Sequence, residues 1–467
     1  MKPLWTAPAV MKATGGKTTG IWNASGVSID SRTVKTGDLF VALKGPNFDG
    51  HAFVPAALKQ GAAAAVVHCA IEDSDSYQDR TVLVKDTFAA LEDLAKAARE
   101  RTPARVIAVT GSVGKTGTKE ALRLGLAAQG ATHATEGNLN NQWGVPLSLA
   151  RMPEDTKFGV FELGMNHPGE IAPLSHLVRP HVAVITTVEA AHLEFFESVA
   201  AIADEKAAIM AGLEKMGAIV LPADNPHIVR LIAAAKSYGV QRIVTFGTSG
   251  DATARLVSWS LTPDGTQVAA EFDGERITYD MIVSGRHWAL NSVAALAAIK
   301  AAGGDFHLAA AALAKLAAPA GRGARKRVPV DGGSILVIDE SYNASPAAVR
   351  VLAETMAQMH QPVGGARGRL IMALGDMLEL GAAAPALHAG LASSLKLAAI
   401  DLVYTAGPLM RHLYDALPKE MRGGHADSSK DLAPVLAAAA QPGDIIAVKG
   451  SHSSRMDVVV NTLVNAG

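Results

Sequence analysis

The sequence predicts an α/β protein of three domains, and three observations carry that prediction. Apolar strand-like runs alternate with helical stretches along most of the chain, the βαβ pattern of mainly parallel sheets. From about Ala252 the pattern gives way to short polar-alternating strands with Asp-Gly turns, which read as antiparallel hairpins. The length, 467 residues, exceeds what one ordinary core holds.

The elements follow in order. In the first hundred residues VSIDSR and DLFVAL read as strands, VPAALKQGAAAAVV as a helix running into a strand, TVLVKD as a strand and FAALEDLAKAARER as an amphipathic helix. Thr102-Pro103-Ala104 stops that helix, so a mixed α/β domain is expected over 1–103. RVIAVTG, a helix from Lys115, FGVFEL, a helix from Pro168, HVAVITT, a helix from Ser198, GAIVL and RIVTF then build a mainly parallel sheet. Hairpins turning at Pro263-Asp264-Gly265 and Asp273-Gly274, and Ala-rich helices from Arg286 and His307, complete a domain over 104–320. In the last domain, 321–467, SILVID, RLIMAL, DLVYTA and DIIAVK are strands separated by helices, as in a Rossmann-like sheet. Such sheets bind ligands beyond the carboxyl ends of their strands, where Asp339, Asp376 and Lys449 fall.

Composition excludes several functions. A formal net charge of −1 offers no global positive field for nucleic acid. Cys69 is the single cysteine, so no internal disulfide or multi-cysteine cluster is available, and its place after an Ala-Val run predicts a small buried apolar residue. The N-terminal MKPLWTAPAVMKATGGK has no apolar h-region, and no run approaches the roughly 20 apolar residues that span a bilayer. A cytoplasmic location is expected.

The chemistry starts at Gly111-Ser112-Val113-Gly114-Lys115-Thr116, between an apolar strand and a helix. Glycines let backbone N–H groups converge on phosphate oxygens at a helix N-terminus. Lys115 would reach the β/γ-phosphates and the Thr116 hydroxyl a Mg²⁺ ion. Glu162 ends a buried-type strand and His192 follows the next one, both at the ligand side of the sheet. Lys206 shares a helical stripe with Val199, Ile202, Ile209 and Leu213, so it either snorkels or is held there, where desolvation would favour a neutral amine.

T-G-S-x-G-K-T resembles the shortened phosphate loop of the Mur ligases, folylpolyglutamate synthetase and cyanophycin synthetase. The resemblance implies a three-domain ATP-dependent amide ligase: a UDP-substrate domain, an ATPase domain and a Rossmann-like C-terminal domain. E-x-G-M-N-x-P-G-E-I and A-H-L-E resemble the segments whose glutamate (Glu162) and histidine (His192) bind Mg²⁺. The resemblance also implies that Lys206 is carbamylated and helps position the ion. Residues 30–54 resemble the family's uridine-nucleotide segment, with Ser31, Arg32, Asp49, Gly50 and His51 at the matching places. EGNLNNQWGVP resembles a substrate-approaching segment, in which Asn140 and Asn141 either bind substrate or cap the helix at Trp143.

GRHWALNSVAALAA resembles the adenine-contacting helix, with Asn291 matched and Trp288 departing from the usual asparagine. Gly321-Arg322 resembles the hinge arginine that serves the phosphates. ILVIDESYNASP resembles the segment of the dipeptide-adding members, with Glu340 and Ser345 as departures. There Asp339 would meet the nucleotide and Asn343 the incoming dipeptide, while VKGSHSSRM puts Lys449 near the substrate. A further departure, Thr186-Thr187-Val188-Glu189, replaces the family's T-N-I-G. These segments imply Mg-ATP as cosubstrate, UDP-MurNAc-tripeptide and D-alanyl-D-alanine as partners, and a monomer. Groups spread over three domains imply closure around ATP.

Overall fold

The computed structural model describes residues 2–71, 77–262, 265–359 and 368–465. At the N-terminus β1 (Trp5–Thr6) pairs antiparallel with β2 (Asn23–Ala24), with α1 (Ala7–Thr14) between them, capped by the Thr6 hydroxyl. These short elements lie in a stretch where no periodicity marks them. A four-stranded parallel sheet follows in chain order: β3 (Gly26–Ser28), β4 (Asp38–Val41), β5 (Ala64–Val67) and β6 (Thr81–Leu83). Helices α2 (Val54–Lys59) and α3 (Thr87–Glu100) go with it. The strand expected over VSIDSR stops at Ser28, because Asp30 folds the chain into a turn through the N–H groups of Arg32 and Thr33. Cys69, expected to be buried, is exposed at the end of β5.

The middle of the chain builds one nine-stranded sheet. Its strands are β7 (Arg105–Thr110), β8 (Thr132–Ala134), β9 (Phe158–Glu162), β10 (Val182–Ile185), β11 (Ala218–Pro222), β12 (Arg242–Gly247), β13 (Ala254–Thr262), β14 (Gly265–Phe272) and β15 (Glu275–Met281), in the order β8-β9-β7-β10-β11-β12-β13-β14-β15. All neighbours are parallel as far as β13, and β13-β14-β15 form the antiparallel meander that the Asp-Gly turns predicted. Asp273 and Gly274 both hold positive φ, as the tightest hairpin turn requires. Of the other turn, Pro263-Asp264 lie outside the described residues, while Thr262 and Gly265 pair across it.

Helices α4 (Lys115–Ala127), α9 (Arg286–Ala301) and α10 (Phe306–Ala312) cover one face. On the other lie α5 (Gly144–Ala150), α6 (Ile171–Val178), α7 (Val199–Ala207) and α8 (Ile228–Ser237). The helix expected from Pro168 starts at Ile171, because the Glu205 carboxylate accepts the Gly169 and Ile171 N–H groups and fixes the entry there.

The C-terminal sheet runs β16 (Ala324–Val330), β17 (Gly333–Glu340), β21 (Ile445–Lys449), β18 (Leu370–Gly375), β19 (Leu402–Ala406), β20 (Arg422–Ala426), parallel except for β16. Helix α11 (Pro346–Met359) packs over it. The two edge strands are additions to the four expected. Charged ARKRVPV and Gly-rich RGGHA carry no apolar run, because each is covered by the sheet on only one edge.

Candidate active site

A cleft of about 970 Å³ lies between the carboxyl ends of the central strands and those of the C-terminal sheet. Its floor is the phosphate loop. Gly111 and Gly114 hold φ of 149° and 90°; a Cβ on the first would sit 1.9 Å from Thr186 Oγ1, and on the second 2.7 Å from Asn291 Oδ1. Only glycine allows both approaches, and they place Thr186 and Asn291 against the loop. The Thr186 hydroxyl donates to the Val113 carbonyl at 2.5 Å, Ser112 N–H donates to Thr187 O, and the Ser112 hydroxyl bonds both backbone groups of Glu189. The departing Thr186–Glu189 stretch therefore holds the loop itself. Lys115 is folded back, its Nζ donating to Gly111 O at 2.7 Å, and burial pushes its pKa down.

Glu162 is the hub of the wall behind that loop. One carboxylate oxygen accepts the Thr116 hydroxyl at 2.9 Å and the other accepts Asn140 Nδ2 at 2.8 Å, at 1 % exposure. The asparagine pair thus divides its work. Asn141 Oδ1 accepts the N–H groups of Trp143 and Gly144 and caps α5, whereas Asn140 reaches the hub. Both also line the cleft.

His192 sits in the same wall with left-handed backbone, φ 59°. Its Nδ1 comes within 2.5 Å of Glu379 Oε2 on the C-terminal side, a close charge approach without hydrogen-bond alignment. Burial pushes the His192 imidazole down; Glu379 opposes this, while Lys115 and Lys206 act with it. Lys206 does not snorkel: at 2 % exposure it is buried behind the cleft, and desolvation, aided by the charge of Lys115, holds its pKa well below the ordinary lysine value. Lys115, His192 and Lys206 therefore stand within electrostatic reach of one another, and Lys115 also of Glu162.

The opposite wall comes from the hinge and the C-terminal sheet. The Arg322 guanidinium lies 4.1 Å over the Tyr342 ring, and Asn343 lines the cleft beside it. Lys449 pairs with the departing Glu340 at 3.0 Å. Ser345, the other departure, accepts the Ala348 N–H and starts α11 as a cap. Asp339 does not line the cleft. Its carboxylate accepts Gly321 N–H, Ser341 N–H and the Ser341 hydroxyl, stapling the hinge to the end of β17. Asp376 likewise turns inward, accepting the Met410 N–H at 2.7 Å. Trp288, where the family places an asparagine, packs its ring against Gly117 in the first turn of α4.

Ser31, Arg32, Asp49, Gly50 and His51 do not line this cleft. Arg32 forks onto Asp30, and Asp49 caps the turn that carries His51. Gly50 is required by backbone crowding, since a Cβ there would lie 2.6 Å from Leu43 O. The N-terminal sheet reaches the cleft's neighbourhood through Phe48, edge-on to Trp143, and through Val27, whose carbonyl accepts Arg151. Glu379, Tyr342 and His452, by contrast, join the cleft without having been singled out. Glu379 lies in ALGDMLELG, and only its meeting with His192 across the domains distinguishes it.

The oxygen donors suit magnesium, a hydroxyl and a carboxylate at the loop that would hold phosphates, with the His192 imidazole in the same cleft. The chain matches the Mur ligase family catalytic domain over residues 23–99, the Mur ligase middle domain over 109–299 and the Mur ligase glutamate ligase domain over 321–452. It is 32% identical over 458 residues to a UDP-N-acetylmuramoyl-tripeptide–D-alanyl-D-alanine ligase of Rickettsia prowazekii, covering 98% of this chain and 99% of that one. To the ligase of the same name from Escherichia coli it is 35% identical, with 94% of each covered. MurF from Acinetobacter baumannii superposes with a TM-score of 0.85 at 28% identity, over 100% of this chain and 99% of that one. MurF from Thermotoga maritima in complex with ADP gives 0.78 at 29%, over 94% and 97%. The chain belongs to the Mur ligase family.

Proposed function

We propose that the protein is a cytoplasmic ATP-dependent amide ligase that adds D-alanyl-D-alanine to UDP-MurNAc-tripeptide in peptidoglycan precursor synthesis. The observation that carries this reading is the Glu162 hub, bonded to Thr116 at 2.9 Å beside the phosphate loop and facing Asn343 and Lys449 across one cleft. The activity named for the relatives supports it.

The reaction brings two anions together. A carboxylate oxygen of the tripeptide attacks the γ-phosphorus, ADP leaves, and an acyl phosphate forms. The dipeptide amine then attacks the activated carbonyl, phosphate departs from the tetrahedral intermediate, and the amine proton is lost. The backbone N–H groups of residues 111–116 cradle the ATP phosphates, and Lys115 swings from Gly111 O onto the β/γ oxygens. Thr116, Glu162, His192 and Lys206, as its carbamate, would hold Mg²⁺, which supplies positive charge against the phosphates. Asn291 would meet the adenine and Arg322 the phosphates, with the Asp339 staple setting the hinge that carries Arg322. Asn140, Asn343 and Lys449 orient the two peptides, Asn141 caps α5 beside them, and the segment holding Ser31, Arg32, Asp49, Gly50 and His51 takes the uridine nucleotide.

The carbamate reading rests on charge. A neutral Lys206 amine adds to CO₂, forming an N–C bond and releasing one proton. The product anion lies within electrostatic reach of Lys115 and His192, where it relieves their mutual repulsion.

The experiment is phosphate release from Mg-ATP with UDP-MurNAc-tripeptide, with and without D-alanyl-D-alanine, with the product followed by mass. Release that requires both substrates and yields the pentapeptide is the expected result. Release indifferent to the dipeptide overturns the assignment.

A further inference from the structure

His51, which the ligase reading assigns with Asp49 to the uridine nucleotide, has two neighbours which that reading does not use, His68 and Cys69. Its Nε2 accepts the His68 peptide N–H at 3.0 Å, so the ring proton lies on Nδ1 and is given to Asp49 Oδ1 at 2.7 Å. The His68 ring stands edge-on with its centroid 4.1 Å away, and Cys69 follows on the exposed side. One ligating atom from each of His51, His68 and Cys69 lies within 4.8 Å of the others, the one such group of three among the described residues.

We infer that His51, His68 and Cys69 form a binding site for a borderline transition ion of the Zn²⁺ or Co²⁺ class. Two imidazoles and a thiolate select such an ion over magnesium, which prefers oxygen. Metal–ligand bonds of about 2.0–2.3 Å in a tetrahedron set ligand atoms about 3.5 Å apart. Reaching that spacing takes a contraction of at most about 1.3 Å (4.8 − 3.5), which the half-buried His68 and the exposed Cys69 can supply while buried His51 stays fixed. Asp49 has the place of an outer-shell carboxylate: it fixes the tautomer that presents Nε2 and holds the ring's orientation. The ion takes over the Nε2 lone pair from the His68 N–H, and the fourth position faces solvent and takes water. The site stands whether or not the ligase reading does.

The test titrates Co²⁺ into the full metal-free chain with magnesium in excess. Because Cys69 is the only cysteine, thiolate-to-cobalt charge-transfer absorption reports this site alone. The expected result is one Co²⁺ per chain with that absorption, displaced by Zn²⁺. Cys69→Ser abolishes the band, and His68→Ala weakens binding at least about tenfold. Absence of the band in the parent protein, or binding by His68→Ala as tight as the parent's, overturns the site.

Discussion

His192 and Glu379 meet across two domains with Nδ1 and Oε2 2.5 Å apart, and both hold left-handed backbone, at φ 59° and 62°. Such backbone costs a non-glycine residue about 1–2 kcal/mol and persists where surroundings fix it. Here Glu194 N–H also donates to Glu379 O, so the contact is doubled. Glu379 therefore orients the imidazole proposed for magnesium. Glu379→Ala is expected to lower kcat about 10–100-fold and raise the magnesium requirement. Glu379→Gln, which keeps an oxygen acceptor, recovers part of it. A magnesium titration identical to the parent's would show that the contact is idle.

Lys206 is the second test. Its amine is buried, and desolvation, aided by the charge of Lys115, holds its pKa well below the ordinary lysine value, which favours the neutral form. ¹³C-labelled bicarbonate should give a carbamate resonance that Lys206→Ala lacks, and the variant's lost activity should not return with added bicarbonate. Wild-type turnover in Lys206→Ala would remove the carbamate from the mechanism.

The asparagine pair separates binding from stability. Asn140→Ala breaks the bond to Glu162 and is expected to cost activity with little change in melting. Asn141→Ala removes the cap of α5 and is expected to cost about 1 kcal/mol in urea denaturation. If both variants lose activity and stability equally, the division is wrong.

The sequence made the central strands, the phosphate loop and Glu162 legible, because buried parallel strands read as apolar runs and the loop's glycines stand between strand and helix. Helix periodicity also put Lys206 on a core-facing stripe, and its burial there, instead of snorkelling, comes from the fold. The edge strands Ala324–Val330 and Arg422–Ala426 were silent, since an edge needs no apolar run. Nor could spacing show that Asp339 turns to the Gly321 and Ser341 backbone, because that depends on the hinge path rather than on the strand end. The Glu379 contact joins residues 187 positions apart (379 − 192) and exists only once two domains are assembled.

Acid stability gives the last test, through His181. Its pKa is lowered to about 4, first by desolvation and then by the cations Arg99 and Arg105, and its Nδ1 accepts the Val106 N–H at the start of β7. The unfolded chain takes up this proton near pH 6.5 and the folded chain only near 4. The neutral ring's contribution is therefore intact above pH 6.5 and is lost as pH falls from there toward 4. After allowing for partial exposure, the loss is about 2–3 kcal/mol. His181→Asn keeps an acceptor near Nδ1 but does not titrate. Its urea midpoint should match the parent's within about 1 kcal/mol at pH 8 and fall less steeply between pH 6.5 and 5. Other histidines, half-buried His133 and buried His388 among them, are shifted the same way and contribute equally to both proteins, so the difference between them isolates His181. Parallel pH profiles for parent and variant would mean that the ring is protonated as readily folded as unfolded.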